Sequence, residues 1–188
     1  VGAINTQQVQ ALSTAQLRAI DAADMASLAT DSLAALSTAQ IRSLQTDQLN
    51  ALTGEQVAQL TPDQIAALST AQMAAIDASL VAGMATSQFS KMSTAQIAEL
   101  GTAQIAQMDI AAIASLSTAQ VAALRTVQIE ALGAEAVQAL TTAQAAALSV
   151  NQVRAIETAD LALMETADLA ALGTAQVAGL LDAQINAL

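Results

Sequence analysis

The chain has 188 residues, enough for a domain with a sizeable core, and its composition excludes several classes of function. It contains no Cys and no His, so the usual transition-metal ligands, thiol nucleophiles and the commonest general base are missing. The net charge of −11 argues against nucleic acid or an anionic membrane surface as a partner.

The apolar content is high, at 54%, but it is not arranged as a membrane segment. Gln, Thr, Ser or Asp interrupts every apolar run after a few residues, whereas a transmembrane helix needs about 20 apolar residues in succession. We therefore expect no membrane span. The absence of Cys fits secreted and cytosolic proteins equally well and leaves the compartment open.

One eight-residue phrase recurs from the first residues of the chain to the last, and Leu12–Ala19 (LSTAQLRA) is a clear early copy. We number the octad so that Leu12 is position 1. Every eighth residue from Ile4 to Leu188 is Leu, Ile or Met, and every eighth residue from Val1 to Ile185, position 6, is apolar. No insertion breaks this register, and no charged residue falls at either position.

This period of eight predicts a short helix in each octad. In one long α-helix, eight residues overshoot two full turns by roughly 80°, so the apolar residues would form no face. In a strand, positions 1 and 6 would point to opposite sides of the sheet. Position 6 and the next position 1, however, are three residues apart and share one helical face. We expect a helix of about six or seven residues followed by a corner.

Each helix carries its own start signal. Position 2 is mostly Ser, Thr, Asp, Gly or Asn, and position 5 is Gln in most octads, which together make the capping box S/T-x-x-Q. A second interpretation of this Gln, a ladder of amides between successive coils, stays open. Octads that replace it are expected to be irregular; they include those with Asp24, Leu80, Ala112, Ala136, Asp160 and Asp168. The representative helix caps predicted here are Ser13, Gln16, Ser37, Gln40, Ser69, Gln72, Ser117 and Gln120.

An octad cannot be stable alone. Burying its two large apolar side chains contributes about 2 kcal/mol each, whereas ordering eight residues costs on the order of 10 kcal/mol. Octads must therefore stack, and we predict an all-α solenoid of short two-turn helices, with two to four octads in each turn. Its predicted core includes Leu12, Leu17, Leu36, Ile41, Leu68, Ile97, Leu116, Val121, Leu172 and Val177.

The whole sequence, residues 1–188, is expected to form one continuous array of about 23.5 octads. Both ends fall inside an octad, so we expect this array to be a window of a longer chain. Uncapped ends also suggest contact with neighbouring repeats of the same chain or self-association, since repeat arrays normally carry polar caps.

The phrase L-S/T-T-A-Q-I/V-A-A resembles repeat tracts in very large proteobacterial surface proteins of the adhesion type. This resemblance spans the chain and implies secretion and an extracellular or cell-surface location. We expect a structural protein, the spacer, stalk or body of a fibre, and not an enzyme. No residue is assigned a catalytic, cofactor-binding or metal-binding role. The alternatives are ice binding through the repeated Thr at position 3 and a protein-interaction scaffold.

Overall fold

The computed structural model describes residues 4–188, and these residues form short α-helices joined by tight corners. The octad with Ser37 is representative: Ser37 is the N-cap, and the helix runs from Thr38 to Ser43. The next two residues, Leu44 and Gln45, have extended dihedral angles of φ −61°, ψ 142° and φ −78°, ψ 158°. No described residue has a positive φ, so these corners do not require Gly.

The chain divides into two compact units, Val1–Glu99 and Leu100–Leu188, which we call unit 1 and unit 2. The helices of unit 1 are α1 Thr6–Ala11, α2 Thr14–Arg18, α3 Ala22–Met25, α4 Thr30–Ala34, α5 Thr38–Ser43, α6 Thr46–Asn50, α7 Gly54–Gln59, α8 Pro62–Ala67, α9 Thr70–Ala75, α10 Ala78–Val81, α11 Thr86–Lys91 and α12 Thr94–Glu99. The helices of unit 2 are α13 Thr102–Ile105, α14 Ile110–Ser115, α15 Thr118–Ala122, α16 Thr126–Glu130, α17 Ala134–Gln138, α18 Thr142–Ala147, α19 Val150–Ala155, α20 Thr158–Leu161, α21 Thr166–Ala170, α22 Thr174–Ala178 and α23 Asp182–Ala187.

Helices stack at an interval of three. In unit 1, α2 packs on α5, α5 on α8 and α8 on α11; in unit 2, α13 packs on α16, α16 on α19 and α19 on α22. Three octads therefore complete one coil in each unit. The all-α solenoid expected from the sequence is confirmed, and its coil size, which the sequence left between two and four octads, is three.

The helices are shorter than the sequence suggested. They have four to six residues instead of six or seven, so none completes two turns of 3.6 residues. Three of the four-residue helices, α3, α10 and α20, carry Asp24, Leu80 and Asp160 in place of the usual Gln. Helix length does not always follow the presence of Gln, because α14 with Ala112 has six residues and α13 with Gln104 has only four.

Two rows of side chains form the core, from positions 1 and 6 of the octads. Eight of the ten residues assigned to the core from the sequence are buried in the structure: Leu17, Leu36, Ile41, Leu68, Ile97, Leu116, Val121 and Leu172. Leu12 is half-buried, in the first coil of unit 1.

Val177 departs from the expected core because 48% of its surface is exposed. It lies on α22, which packs on α19 and has no described helix stacked on its other side. Leu17 has the same octad position in the first coil and is fully buried, so position 6 is covered by the coil that follows. Position 1 is instead covered by the coil that precedes it, since Leu12 is half-buried in the first coil and Leu172 is buried in the last.

That residues 1–188 form a single continuous array stays a prediction, as does the expectation that they are part of a longer chain. Among the described residues, no helix is long and apolar enough to cross a membrane.

Candidate functional site

The recurring chemical feature of both units is a buried Gln amide at most of the corners. Gln40, which is 5% exposed, is a clear example. Its Oε1 accepts hydrogen bonds from the Ser37 backbone N–H at 2.8 Å and from the Ser37 hydroxyl at 3.0 Å. In return, the Gln40 backbone N–H donates to Ser37 Oγ at 3.2 Å, which completes the capping box.

The other end of the same amide joins one coil to the coil before it. Gln40 Nε2 donates to the Val9 carbonyl at 3.0 Å and to the Leu12 carbonyl at 2.8 Å. These acceptors lie 31 and 28 residues earlier, at the corner between α1 and α2. This corner is thus bonded to the corner beneath it, and carbonyls at the end of α1, which have no partner within the helix, receive donors.

The same pair of bonds, to carbonyls 31 and 28 residues earlier, recurs within both units at distances of 2.6–3.4 Å. The residues that make it are Gln48, Gln56, Gln64, Gln88, Gln96, Gln144, Gln152, Gln176 and Gln184. The two interpretations of this Gln, a helix cap and a link between coils, describe two ends of one amide. The link is formed with backbone carbonyls and not with a neighbouring Gln.

The sequence-predicted caps have the geometry of capping boxes. In each pair, Oε1 of Gln accepts from the backbone N–H of Ser at 2.8–2.9 Å, and Ser Oγ accepts from the backbone N–H of Gln at 3.2 Å. The pairs are Ser13–Gln16, Ser37–Gln40, Ser69–Gln72 and Ser117–Gln120. Gln16 differs from the others in being exposed, since it belongs to the first coil.

The hydrogen bond from the backbone N–H of position 2 to Gln Oε1 is also made where the residue at position 2 has no hydroxyl. The backbone N–H of Gly101 donates to Gln104 Oε1 at 2.6 Å, and that of Ala85 donates to Gln88 Oε1 at 2.7 Å. The side chain at position 2 is therefore an optional part of the corner, which explains its variety in the sequence.

Corners without Gln use other groups. Ser32 stands at position 5, and its Oγ donates to the Ile4 carbonyl at 3.1 Å, 28 residues earlier. Asp168 accepts a hydrogen bond from Thr142 Oγ1 at 2.8 Å and is 4% exposed. Asp160 is also buried, at 8% exposed. A carboxylate has no hydrogen to give to a carbonyl, so these two corners lack the usual donor.

Additional links between coils were not visible in the octad pattern. Asn50, at position 7, donates through Nδ2 to the Ala75 carbonyl and accepts through Oδ1 from the Asp77 backbone N–H, both at 2.9 Å. In unit 2, Arg125 Nη2 donates to the Leu100 carbonyl at 3.1 Å. These bonds span 25 to 27 residues. Asn50 stands at a position where Ala is usual, whereas Arg125 stands at position 2, whose residues vary, so the octad pattern gives no signal for its bond.

A groove of about 480 Å³ opens on the surface of unit 2 between α16 and α19. Its polar groups come from Thr126, Glu130, Asn151 and Arg154, and Leu181 also lines it. The groove is shallow and open to solvent. Among residues 4–188, no group of three or more acidic side chains is placed to hold a metal ion.

Chemically, this arrangement joins successive coils through hydrogen bonds from Gln side chains to backbone carbonyls, and most coils offer the next coil the same acceptors. The ALTTAQ repeat model matches residues 1–36, 25–62 and 153–188, together just over half of the chain. No curated protein matches the chain. The recurrent corner Gln and the matched segments lead to one identification: the chain belongs to the ALTTAQ repeat family.

Proposed function

We propose that this protein is a structural spacer whose length is set by its number of octads, serving as a stalk or as the body of a bacterial surface fibre. The single observation that carries the proposal is the reach of the corner bonds. Gln64 contacts carbonyls 28 and 31 residues earlier, as the other corner Gln residues named above do, so a coil is bonded to the coil directly before it. A structure held in this way can be extended by repeating the coil, without any long-range closure.

The expected length per coil follows from helix packing. Stacked helices lie about 8–10 Å apart, so each coil of three octads adds about that distance. Three octads in a single extended strand would instead span about 80 Å. The coil is therefore shorter than an extended chain of the same number of residues but stiffer, as a spacer requires.

An extracellular or cell-surface location is part of this proposal. Its support is the similarity of the octad to repeat tracts of large bacterial surface proteins. We also propose that the protein has no enzymatic activity. Its acidic residues recur at equivalent positions of successive octads, as parts of a repeat and not of one site, and the groove of unit 2 contains a single carboxylate, that of Glu130, and one basic residue, Arg154.

Spin-label distances within unit 1 test the proposal. Because the chain has no Cys, Ala39→Cys and Ser87→Cys give two unique labelling sites at the same octad position. Both residues are exposed, and they lie on α5 and α11, which are joined through α8. The label sites should be about 16–20 Å apart, and duplication of residues 44–67 should add about 8–10 Å with a narrow distribution.

The matched control inserts a Gly/Ser segment of the same length as the duplicated coil at the same place. It should give a broad distance distribution, since such a linker is a flexible coil. If the duplicated coil leaves the distance unchanged, or broadens it as the Gly/Ser insert does, the spacer proposal is wrong.

A further inference from the structure

The positive charges of unit 1 lie on one side of its coils. Unit 1 contains three basic residues, Arg18, Arg42 and Lys91, and all three are exposed. They lie on α2, α5 and α11, which belong to the column of helices α2, α5, α8 and α11 that stack on one another. Asp63 is the only acidic residue of this column, which we call the basic column.

A neighbouring column of unit 1 is purely acidic. Helices α1, α4, α7 and α10 stack on one another and carry Asp31, Glu55 and, at the N-cap of α10, Asp77. All three carboxylates are exposed, and the column contains no basic residue. We call this the acidic column.

The charges of the two columns have the same spacing. Arg18 and Arg42 both occupy position 7 of their octads and lie one coil apart, on the stacked helices α2 and α5. Asp31 and Glu55 both occupy position 4 and also lie one coil apart, on α4 and α7. Both pairs are therefore separated by one helix-to-helix distance of about 8–10 Å. A basic column laid beside an acidic column can bring two opposite charges into register at once.

We propose that unit 1 binds a second copy of this chain side by side, with the Arg18–Arg42 pair of the basic column facing the Asp31–Glu55 pair of the partner's acidic column. The basic column of the second copy is then free to bind a third, so that the contact can continue laterally. This inference adds a partner to the proposed spacer role. The spacer proposal and this inference can be disproved independently, because the spin-label distances report length within one chain and the experiment below reports association between chains.

Electrostatics sets how this association depends on salt. Two copies with a net charge of −11 repel one another. At about 0.01 M salt the Debye length is about 30 Å, so the full net charges of the two copies repel and oppose association. At about 0.1 M, with a Debye length of about 10 Å, only the facing columns interact and attraction prevails. At about 1 M the contact itself is screened. Association should therefore be strongest near 0.1 M, whereas an apolar contact would strengthen steadily with salt.

Sedimentation velocity of the 188-residue chain at these three salt concentrations tests the proposal, and two matched variants locate the contact. Arg42→Glu reverses one charge of the basic column. Arg154→Glu makes the same change at the same octad position of unit 2 and alters the net charge equally. We expect Arg42→Glu to weaken association about tenfold, equivalent to about 1.4 kcal/mol, and Arg154→Glu to change it less than about twofold. Equal effects of the two variants would overturn the assignment.

A charge exchange gives the decisive result. The variant Arg18→Glu/Arg42→Glu and the variant Asp31→Arg/Glu55→Arg should each associate more weakly than the original chain. Mixed together, they should associate again, because each now offers the column that the other lacks. A chain that stays monomeric near 0.1 M salt, or a mixture no stronger than its separate components, contradicts the proposal. Circular dichroism of each variant verifies that these exposed substitutions leave the helices intact.

Discussion

At the scale of the residue, Gln is the only side chain that fits the corner completely. Its carbonyl oxygen accepts from the N-cap N–H of its own octad, and its NH₂ group has two hydrogens for two carbonyls of the preceding coil. Glu has the length but no donor, and Asn has the amide but is one methylene shorter. A hydrogen bond of this kind contributes about 0.5–1.5 kcal/mol, so one amide contributes on the order of 3 kcal/mol to its corner.

Gln64→Glu tests this requirement. Gln64 is 2% exposed, and its Nε2 donates to the carbonyls of Leu33 at 3.0 Å and Leu36 at 2.7 Å. A carboxylate there would face two carbonyl oxygens without a hydrogen to offer, and we expect the free energy of unfolding to fall by about 2–4 kcal/mol. Chemical denaturation measures this change. The loss should shrink in acid, because the protonated carboxyl group can donate again.

The control for this prediction is Gln16→Glu, in the first coil. Gln16 makes the same capping box with Ser13 but is exposed, and a carboxylate near the start of a helix is favourable. Its unfolding free energy should change by less than about 1 kcal/mol. Glu can still accept the hydrogen bond from the N-cap N–H in both variants, so a similar loss in both would mean that the bonds between coils are not what stabilises the corner.

The sequence predicted one half of the corner and left the other half open for a physical reason. A capping box is local, since Ser37 and Gln40 are three residues apart, and it can be identified in the sequence. The bonds to Val9 and Leu12 span 31 and 28 residues, and no local pattern contains that distance. Val177 was misassigned for a related reason: an octad position gives the direction of a side chain but not the presence of a coil above it.

At the scale of the helix, stacked neighbours approach most closely where small residues meet. A Cβ added to Gly83, at position 8 of its octad, would lie 2.9 Å from the Gly54 carbonyl oxygen and 3.1 Å from Gly54 Cα. The equivalent residue on α22 is Gly179, whose added Cβ would collide with Val150 Cγ1. At these two places, position 8 of one octad thus packs over position 3 of the octad in the coil beneath it.

Gly83→Ala should therefore destabilise unit 1. The new methyl group meets backbone atoms of α7, which cannot move aside as the end of a side chain can, and overpacking of this kind typically costs about 1–3 kcal/mol. Gly54→Ala is the control from the other side of the same contact. No atom lies within 4 Å of its added Cβ, and Ala restricts the unfolded chain, so stability should be unchanged or rise by up to about 1 kcal/mol. Thermal unfolding compares the stability of the two variants. A loss of stability in Gly54→Ala alone would contradict the proposed packing.

The number of helices in a coil lay beyond the sequence for a different reason. The octad fixed where each helix starts and which side chains point inward, as Leu36 and Ile41 do. The angle at each corner depends on the extended dihedral angles of two residues, such as Leu44 and Gln45, and on what packs against them. The size of the turn at each corner separates a triangular coil from a square one, and the propensities of Leu, Ser and Thr do not encode it.

At the scale of the whole molecule, the sequence repeats with every octad while the coil repeats with every third octad. Most octads present the same core and corner groups, so we expect a coil to accept one of these octads in any of its three places. Stability then depends on contacts between neighbouring coils, and a change of register matters more than a change of length. Removing one whole octad keeps a suitable carbonyl at the reach of each corner Gln, whereas removing half an octad leaves the wrong residues there for every bond that crosses the deletion.

Deletion of residues 68–75, one complete octad of unit 1, should therefore be tolerated. Gln88 would then reach the carbonyls of Leu49 and Leu52, which in the original chain stand in the same relation to Leu80, a residue unable to donate. We expect cooperative unfolding with a melting temperature close to that of the original chain. Deletion of residues 68–71 alone should lower the melting temperature and split unfolding into more than one transition, because octads on its two sides no longer share a register. Calorimetry distinguishes these outcomes. If both deletions are equally disruptive, the octads of a coil are not interchangeable, and each must occupy its own place.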